Sequence, residues 1–327
     1  MIGLIVRRLI QLPFILLAIY TITFALAWAL PGEAVINDEQ RQPPQEVLDA
    51  MKKQYNLDDP WAFYSNYLYR VSGARWTVES VREIAGDENA DPGPYIFDLG
   101  PSFKYEDWTV NQIVGSSLPI SVALGLSAIL LAVGIGMTAG VLGALRPNSA
   151  IDIGTLVVAL IGISLPSFVI GTGLLIVFPV WLGWGTVGSW GRLVDVILPA
   201  LTLSLPFAAY IARLTRMGMI EQLDTDYVRT ARAKGCPESK VITKHALRNA
   251  FLPVLSYLGP ALAFAMTGSF VVETVFNIPG LGQHFVAGVQ NKDLFMIMGV
   301  TLIFATLLII MNLLVDVLYR VVDPRIT

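Results

Sequence analysis

Charged residues are scarce in this 327-residue chain, which has 14% Asp, Glu, Lys and Arg against 54% hydrophobic residues. Soluble globular domains carry about 25% charged residues, so the composition excludes an ordinary soluble domain. The chain also has a single cysteine, Cys236, which excludes an internal disulfide bond and a metal site built from thiolate clusters. The shortage of charge therefore indicates an integral membrane protein.

The chain also lacks the residues that bind nucleotides in a phosphate-binding loop. None of its lysines follows a glycine, so the Gly-Lys-Ser/Thr end of such a loop is missing. The two histidines, His245 and His284, fall on opposite sides of the membrane in the topology predicted below. We therefore expect no catalytic residue, no metal site, no cofactor bound by this chain, and no ATP hydrolysis by that route.

Six apolar runs are long enough to cross a ~30 Å hydrocarbon core, which takes about 20 helical residues. They are unbroken rather than alternating, which favours helices over a transmembrane barrel. The first run is longer than the core of a signal peptide, so a retained anchor is favoured over a cleaved leader. The predicted spans are Leu9–Leu30, Leu118–Leu145, Ile151–Leu182, Val194–Met219, Phe251–Val275 and Leu294–Val321.

Basic residues in the short loops predict the orientation of the spans. Arg7 and Arg8 precede the first span, eight basic residues lie in and beside the loop between the fourth and fifth spans, and Arg320 and Arg325 lie at the end of the chain. Both termini are therefore predicted to be cytoplasmic. The segment Pro31–Gln112, with 7 basic and 15 acidic residues and a net charge of −8, is then extracytoplasmic.

A polar, basic stretch, Asp226–Pro253, separates two apolar runs. Its pattern predicts an amphipathic helix that ends at Gly235, and Pro237 then begins a second helix that runs to about Ala250. Such a pair of helices suits insertion into a groove of a soluble partner. The excess of basic residues equally suits a helix that lies on anionic lipid, and the pattern alone leaves both interpretations open.

Ionisable residues are rare in the predicted spans, apart from Asp316 and the segment-end residues Arg213 and Glu273. Buried charges mark ion pathways, so the sequence predicts no relay for ion-coupled transport. The energy for moving a solute is then expected to come from another protein. The Glu273 carboxylate is expected to have a basic partner or to face water, since an unpaired buried charge costs several kcal/mol.

Several segments carry a resemblance to a known family. The loop RTARAKG followed by HALRNAFLPV resembles the EAA loop of ABC importer membrane subunits, in the form typical of the peptide branch, with Arg229 at the Glu position and Arg248 at the Pro position. LGPSFKY, SYLGPA, TGSFVVETVFNIPGLGQ and VDVLYRVVDPRI are similar to the B-type permeases of the oligopeptide/dipeptide branch. The resemblance covers about nine-tenths of the chain. Gly73–Asp98 has no counterpart in it.

The resemblance implies an all-α integral membrane protein with six transmembrane helices, cytoplasmic termini and the type I ABC importer permease fold. A large extracytoplasmic segment follows the first helix. The corresponding divisions are residues 1–30 for the tail and first helix, 31–112 for the extracytoplasmic segment and 113–327 for a five-helix core, with the EAA coupling loop at 220–250.

The resemblance also implies a function, which is that of a permease subunit in an ATP-driven oligopeptide importer of the bacterial cytoplasmic (inner) membrane. The implied partners are a second homologous permease subunit in a heterodimer, two cytoplasmic ATP-binding subunits that use ATP and Mg²⁺, an extracytoplasmic peptide-binding protein and membrane lipid. No nucleic acid is among them.

Two sets of site residues follow from the resemblance. The first set docks the ATPase subunits through the coupling loop and consists of Asp226, Tyr227, Arg229, Ala231, Ala233 and Gly235. The second set forms an external gate in and before NIPGLGQ and consists of Glu273, Pro279, Gly280 and Gly282, with Gly280 expected to have a positive φ. A plain connecting turn is the alternative for the second set.

The extracytoplasmic segment is predicted to be folded rather than a solvated linker, because it is rich in Trp and Tyr. A helix is expected near Pro44–Tyr55, and the segment is expected to contact the binding protein or only to stabilise the permease. For the whole chain, permeases for dipeptides, nickel or glutathione remain alternatives. A secondary transporter and a membrane scaffold protein are alternatives from other classes.

Overall fold

The computed structural model describes residues 2–31, 45–105, 107–185, 188–267 and 270–322. Within these ranges the regular structure is helical, with one isolated antiparallel bridge between Pro101 and Thr109. The helices are α1 (Ile2–Ala29), α2 (Gln45–Tyr55), α3 (Pro60–Val71), α4 (Ala74–Ile84), α5 (Val110–Leu145), α6 (Ala150–Ser164), α7 (Ser167–Trp181), α8 (Leu193–Leu223), α9 (Asp226–Ala233), α10 (Glu238–Ala250), α11 (Leu252–Met266), α12 (Phe270–Val275), α13 (Leu281–Gln290) and α14 (Leu294–Val322).

Four helices are long and apolar enough to cross a membrane unbroken, and six spans result if each of two bent pairs counts as one. The unbroken helices are α1, α5, α8 and α14. The helices α6 and α7 meet at 104°, and α10 and α11 meet at 54°. The structure therefore agrees with the expected six transmembrane helices only if the two bent pairs each count as one span.

The third predicted span, Ile151–Leu182, is a bent pair of helices and not one straight helix, and the cause is local. Pro166 has no N–H to continue the helical hydrogen bonds, and a proline disfavours helical geometry in the residue before it. Leu165 accordingly has extended backbone, with φ −84° and ψ 131°. The end of α7 winds into a π-helical turn, Ile176–Trp181, which contains Pro179.

The chain divides into two compact units. One contains Ile120–Gly282 with residues from both ends of the chain, and the other contains Val6–Pro119 with Gln283–Thr306. The core of the first unit is formed by apolar side chains of α5, α8, α11 and α12, among them Leu124, Ile211 and Val272.

Glycines bring α5 and α8 into backbone contact within the first unit. A Cβ placed on Gly136 would lie 2.6 Å from the Ala208 carbonyl oxygen, and one on Gly140 would lie 2.6 Å from that of Ala212. Small residues of this kind allow close helix packing in membranes, where lipid supplies no hydrophobic drive between helices. These two glycines therefore serve packing.

In the second unit, an aromatic cluster fixes the segment that follows α1. Phe295 lies at its centre, with ring centroids 5.3 Å from Phe63 and 5.2 Å from Tyr67. The Tyr20 hydroxyl donates to the Tyr64 carbonyl at 2.6 Å. Offset and edge-on aromatic contacts of this kind stabilise a fold by about 0.5–1.5 kcal/mol per pair beyond burial. The expected folded segment is confirmed for residues 45–105, as is a helix ending at Tyr55, whereas residues 32–44 lie outside the described ranges.

Candidate coupling elbow and glycine turn

The helices α9 and α10 form an elbow, the name used here for residues 226–250. Gly235 has a φ of +75°, in the left-handed region that glycine adopts without steric cost, and the N–H of Cys236 donates back to the carbonyl of Ala231. Pro237 immediately precedes α10. The predicted stop at Gly235 and the second helix to Ala250 are both confirmed.

The inner side of the elbow is a small apolar core. Val228, Ala231 and Val241 are buried there, with Leu223 and Cys236 packed against them. The side chain of Ala231 therefore faces into the elbow and not toward a partner. The apolar spacing that predicts the helix α9 also identifies its buried face, and Ala231 lies on that face.

The outer side of the elbow is polar and exposed. Asp226, Arg229, Ala233 and Gly235 are all exposed residues on it. This arrangement leaves four of the six predicted docking residues accessible on one surface. Tyr227, the fifth exposed residue of the predicted docking set, makes hydrogen bonds within the chain.

Tyr227 ties the elbow to its neighbours. Its hydroxyl donates to Oε1 of Gln222 at 2.6 Å and lies 3.3 Å from the carbonyl of His245, and the Asn249 amide donates to it at 3.1 Å. Through this one hydroxyl, which donates to Gln222 and accepts from Asn249, the end of α8 is connected with α10. Tyr227 therefore holds the shape of the elbow.

An ion pair spans the bend of the elbow. Arg232 donates from Nη2 to Oε1 of Glu238 at 2.6 Å and from Nε to Oε2 at 3.2 Å. The two residues lie on either side of Gly235, and the two-point geometry is the one that guanidinium and carboxylate favour. Both side chains are about half exposed, so solvent screens the pair and it contributes mainly geometry.

The elbow packs directly on the adjoining helices of the first unit. Ala246 and Ala250 of α10 lie in a buried cluster with Met219 of α8 and Ala144 of α5. A Cβ on Gly218 would lie 2.9 Å from the Ala250 carbonyl oxygen, so α8 and α10 touch through their backbones. The elbow and α8 are therefore joined by direct backbone contact as well as by buried side chains.

A buried ion pair joins α6 to α8. Arg216 donates from Nη2 to Oδ2 of Asp152 at 2.7 Å and from Nε to Oδ1, and the Asn148 N–H donates to Oδ2 at 2.8 Å. Asp152 is 1% exposed. Asp152 and Arg216 are therefore further charged residues within the predicted spans, beyond Asp316, Arg213 and Glu273. The cap residue Ser149, whose hydroxyl accepts from the Asp152 N–H at 3.3 Å, is the signal that places Asp152 in the first turn of a helix.

Residues 277–282 form a turn, called the glycine turn here. Glu273, in the helix α12 just before it, packs against this turn. Its carboxylate is fully buried, so the expected exposure to water is not seen within this chain. The Ser121 hydroxyl donates to Oε1 of Glu273 at 2.8 Å and accepts from the N–H of Leu281 at 2.8 Å. One hydroxyl of α5 thus holds both the carboxylate and the turn.

The two glycines of the turn are packed against this carboxylate. A Cβ on Gly280 would lie 2.5 Å from Oε2 of Glu273, and one on Gly282 would lie 2.9 Å from the same oxygen. The expected positive φ at Gly280 is wrong, because the residue of the turn with a positive φ is Asn277, at 51°. Gly280 is therefore required by close approach and not by backbone conformation. Pro279, by contrast, is exposed.

Neither the elbow nor the glycine turn contains a cluster of metal-ligating side chains. Among the residues that the structure describes, no group of three or more His, Cys, Asp and Glu is placed to hold a metal ion. What the two sites share is close packing on long helices, which suits the transmission of movement.

Helices long and apolar enough to cross a membrane, with an elbow packed on them, suit a membrane permease subunit, and the comparisons with known proteins identify the class. Residues 132–327 match the family model described as binding-protein-dependent transport system inner membrane component. The chain therefore belongs to this family, whose members are permease subunits of ABC transporters. This membership decides against a secondary transporter and a scaffold protein.

The relatives narrow the branch of the family. The chain is 41% identical to the oligopeptide transport system permease protein OppB of Salmonella typhimurium, over 100% of this chain and 99% of that protein. It is 38% identical to the dipeptide transport system permease protein DppB of Bacillus subtilis, over 98% of this chain and 96% of that protein. The resemblance to B-type permeases of the oligopeptide/dipeptide branch is confirmed.

A solved structure of the MetNI methionine ABC transporter shares the fold. Its TM-score is 0.54 at 20% identity, and the alignment covers 65% of this chain and 97% of that chain. At this identity the similarity concerns the fold alone. It supports the type I permease arrangement of the helices.

Proposed function

We propose that this chain is the permease subunit of an ATP-driven oligopeptide importer and forms half of the translocation pathway. The observation that carries the proposal is the elbow, whose polar outer face is exposed while its inner face is packed on α8 and α5. Such an element suits rigid-body transmission, one of the standard modes of switching. The names of the relatives support oligopeptides as the solute.

The proposal includes the orientation and the partners. Both termini lie in the cytoplasm of a bacterium, the segment after α1 lies outside the inner membrane, and a second homologous permease completes the pathway. Two ATP-binding subunits that use ATP and Mg²⁺ dock on the elbow through Asp226, Arg229, Ala233 and Gly235. A peptide-binding protein delivers the solute to the opposite side, where Glu273, Pro279, Gly280 and Gly282 belong to the gate.

Reconstituted transport tests this function. The assembled complex in proteoliposomes is expected to take up radiolabelled tri- to hexapeptides only with the binding protein, Mg²⁺ and ATP, and the purified single chain is expected to show no ATPase activity. Dipeptides are the matched comparison, because a dipeptide transport permease is also a close relative. Uptake driven by an ion gradient without ATP, or uptake of dipeptides alone, would contradict the proposed function.

A further inference from the structure

A cavity of about 240 Å³ lies in the second unit, beside the aromatic cluster around Phe295. Its apolar wall is formed by Tyr55, Phe63, Tyr67 and Phe295. The rings hold one another in place, since Tyr55 and Phe295 meet edge to face with centroids 5.4 Å apart. The wall is therefore a set of aromatic rings packed against one another.

Two arginines form the charged wall of the same cavity. Arg70 donates to Oδ2 of Asp98 from Nε at 2.9 Å and from Nη2 at 2.6 Å, and Arg75 donates to the same oxygen from Nη1 at 3.2 Å. The other oxygen of Asp98 accepts from the N–H of Gly100 at 2.9 Å. Two guanidinium groups thus share one carboxylate, which leaves an excess of one positive charge.

Arg75 is the arginine placed to bind a ligand. Arg70 makes two hydrogen bonds to Asp98 and is held further by the face of Phe295, 5.9 Å from its guanidinium carbon. Arg75 uses one N–H for Asp98, and its side chain is 33% exposed. A guanidinium has five N–H donors in a planar fork, so Arg75 retains donors for a second carboxylate.

The other residues that line the cavity are suited to the peptide backbone that would accompany such a carboxylate. Asn56 and Asn66 also line the cavity, and asparagine amides have the donors and acceptors to pair with a peptide backbone. Among the described residues that line the cavity there is no acidic side chain to repel an anion. Its volume is below the roughly 300–1,000 Å³ of pockets for drug-sized ligands, so it has room for one residue of a peptide and not for a whole oligopeptide.

We propose that this cavity binds a carboxylate of a peptide, with Arg75 as the principal contact and the aromatic wall against the adjoining side chain. The carboxylate comes from the C-terminus of the peptide or from an acidic side chain. This inference rests on the proposed function and adds a second point of peptide contact, on the segment that the proposed orientation places outside the membrane.

The test uses the complete complex in nanodiscs without the binding protein. The probes are Ala-Ala-Leu, its C-terminal amide, and N-acetyl-Ala-Glu-Leu amide, each titrated by calorimetry at low salt. One or both carboxylate-bearing probes are expected to bind at least about tenfold more tightly than Ala-Ala-Leu amide, because a charge-assisted pair with a guanidinium is lost in the amide. Tight binding of the free acid alone assigns the terminal carboxylate as the source, and tight binding of the acetylated probe assigns the side chain.

Variants locate the binding group. Arg75→Gln is expected to bring both acids to the affinity of Ala-Ala-Leu amide, and Arg75→Lys is expected to restore part of the difference. Arg82→Gln is the matched control, since Arg82 lies on the same helix but pairs with Glu79 and Asp87 away from the cavity. The affinity of the amide in Arg75→Gln serves as the internal measure of an intact cavity.

Two results would overturn the inference. One is equal affinity of all three probes in the wild-type complex, and the other is an unchanged preference for the acids in Arg75→Gln. Neither result bears on uptake, because ATP-driven import of peptides in proteoliposomes is measured separately. Conversely, Arg75-dependent binding in a complex that imports no peptide would leave the cavity assignment standing and reject the proposed function.

Discussion

Gly280 lies so close to Glu273 that a single methyl group cannot be added to it without displacing the carboxylate. A Cβ at this position would lie 2.5 Å from Oε2 and 2.7 Å from Oε1 of Glu273. The Ser121 hydroxyl bonds to the same carboxylate and to the N–H of Leu281, so the glycine, the carboxylate and the hydroxyl form one contact set. Each is fully or almost fully buried.

Gly280→Ala is expected to destabilise the glycine turn. Overpacking in a filled interior costs about 1–3 kcal/mol, because neighbours must shift to admit the new group. The thermal midpoint of the purified protein should fall, and ATP hydrolysis by the complex should lose part of its dependence on the binding protein. Gly154→Ala in α6 is the control, because a Cβ added there meets no atom within 4 Å, and it should neither lower the midpoint nor change the dependence. Wild-type behaviour of Gly280→Ala in both assays would return the turn to the status of a connecting loop.

A matched pair of alanines separates folding of the elbow from docking on it. Ala231→Leu should destabilise the elbow by about 1–3 kcal/mol, since Ala231 is buried against Val228 and Val241. Ala233→Leu should leave the thermal midpoint unchanged, because Ala233 is exposed, and should reduce co-purification of the ATP-binding subunit. Full recovery of that subunit with Ala233→Leu would place the docking surface elsewhere.

Arg216→Met is expected to be strongly destabilising. Removing one partner of a buried ion pair leaves an uncompensated charge and costs about 3–5 kcal/mol, whereas replacing both partners is often nearly neutral. The double variant Asp152→Asn with Arg216→Met should therefore recover most of the loss. Arg213→Met, at an exposed position one turn earlier in α8, is the control. Thermal unfolding of the four proteins in detergent measures the effect, and equal loss in the single and double variants would refute the coupling.

The second unit is expected to lose stability on acidification through His284. Burial lowers the pKa of the His284 imidazole below its usual value of 6.5, and the positive charge of Lys104 lowers it further. The folded state therefore keeps His284 neutral, with Nδ1 3.1 Å from the Tyr105 hydroxyl, while the unfolded state takes up a proton. Stability is fully present above pH 6.5 and is lost as the pH falls through this value toward the folded-state pKa.

The measurement is the thermal midpoint between pH 7.5 and 5.5. His284→Gln should flatten the dependence on pH, since the substituted side chain does not titrate. His245→Gln, which removes the other histidine of the chain, is measured in parallel as the control for loss of a histidine. A wild-type slope in His284→Gln would assign the acid sensitivity to other groups.

The elbow was predictable because its signals are local. Gly235 and Pro237 interrupt a helical pattern at fixed positions, and the apolar spacing of Val228 and Ala231 identifies the buried face. The same pattern does not say whether the buried face meets a partner or the rest of the chain. That distinction depends on Val241, which lies in the next helix, so the local pattern places Ala231 among the docking residues whereas its side chain is internal.

The contacts around the spans were not predictable from hydropathy. Ser121 and Glu273 are 152 residues apart, and Asp152 and Arg216 are 64 apart, so neither pair has a local signal. Apolar composition also carries no information on the direction of a helix, so hydropathy alone predicts one span across the 104° bend at Pro166. A glycine in a turn suggests a positive φ, yet at Gly280 the constraint comes from a side chain that packs against it.

The contacts at Gly136, Gly140 and Gly218 fix the spacing of three helices in the first unit. Since α5, α8 and α10 touch there through backbone atoms, they cannot slide past one another without opening voids in a close-packed interior. Spin labels on the exposed residues Leu142 of α5 and Met217 of α8 should therefore report one unchanging distance throughout the transport cycle. The displacement that opens and closes the pathway then occurs between this block and its neighbours, and a label on Met217 paired with one on an ATP-binding subunit or the second permease is the probe that registers it.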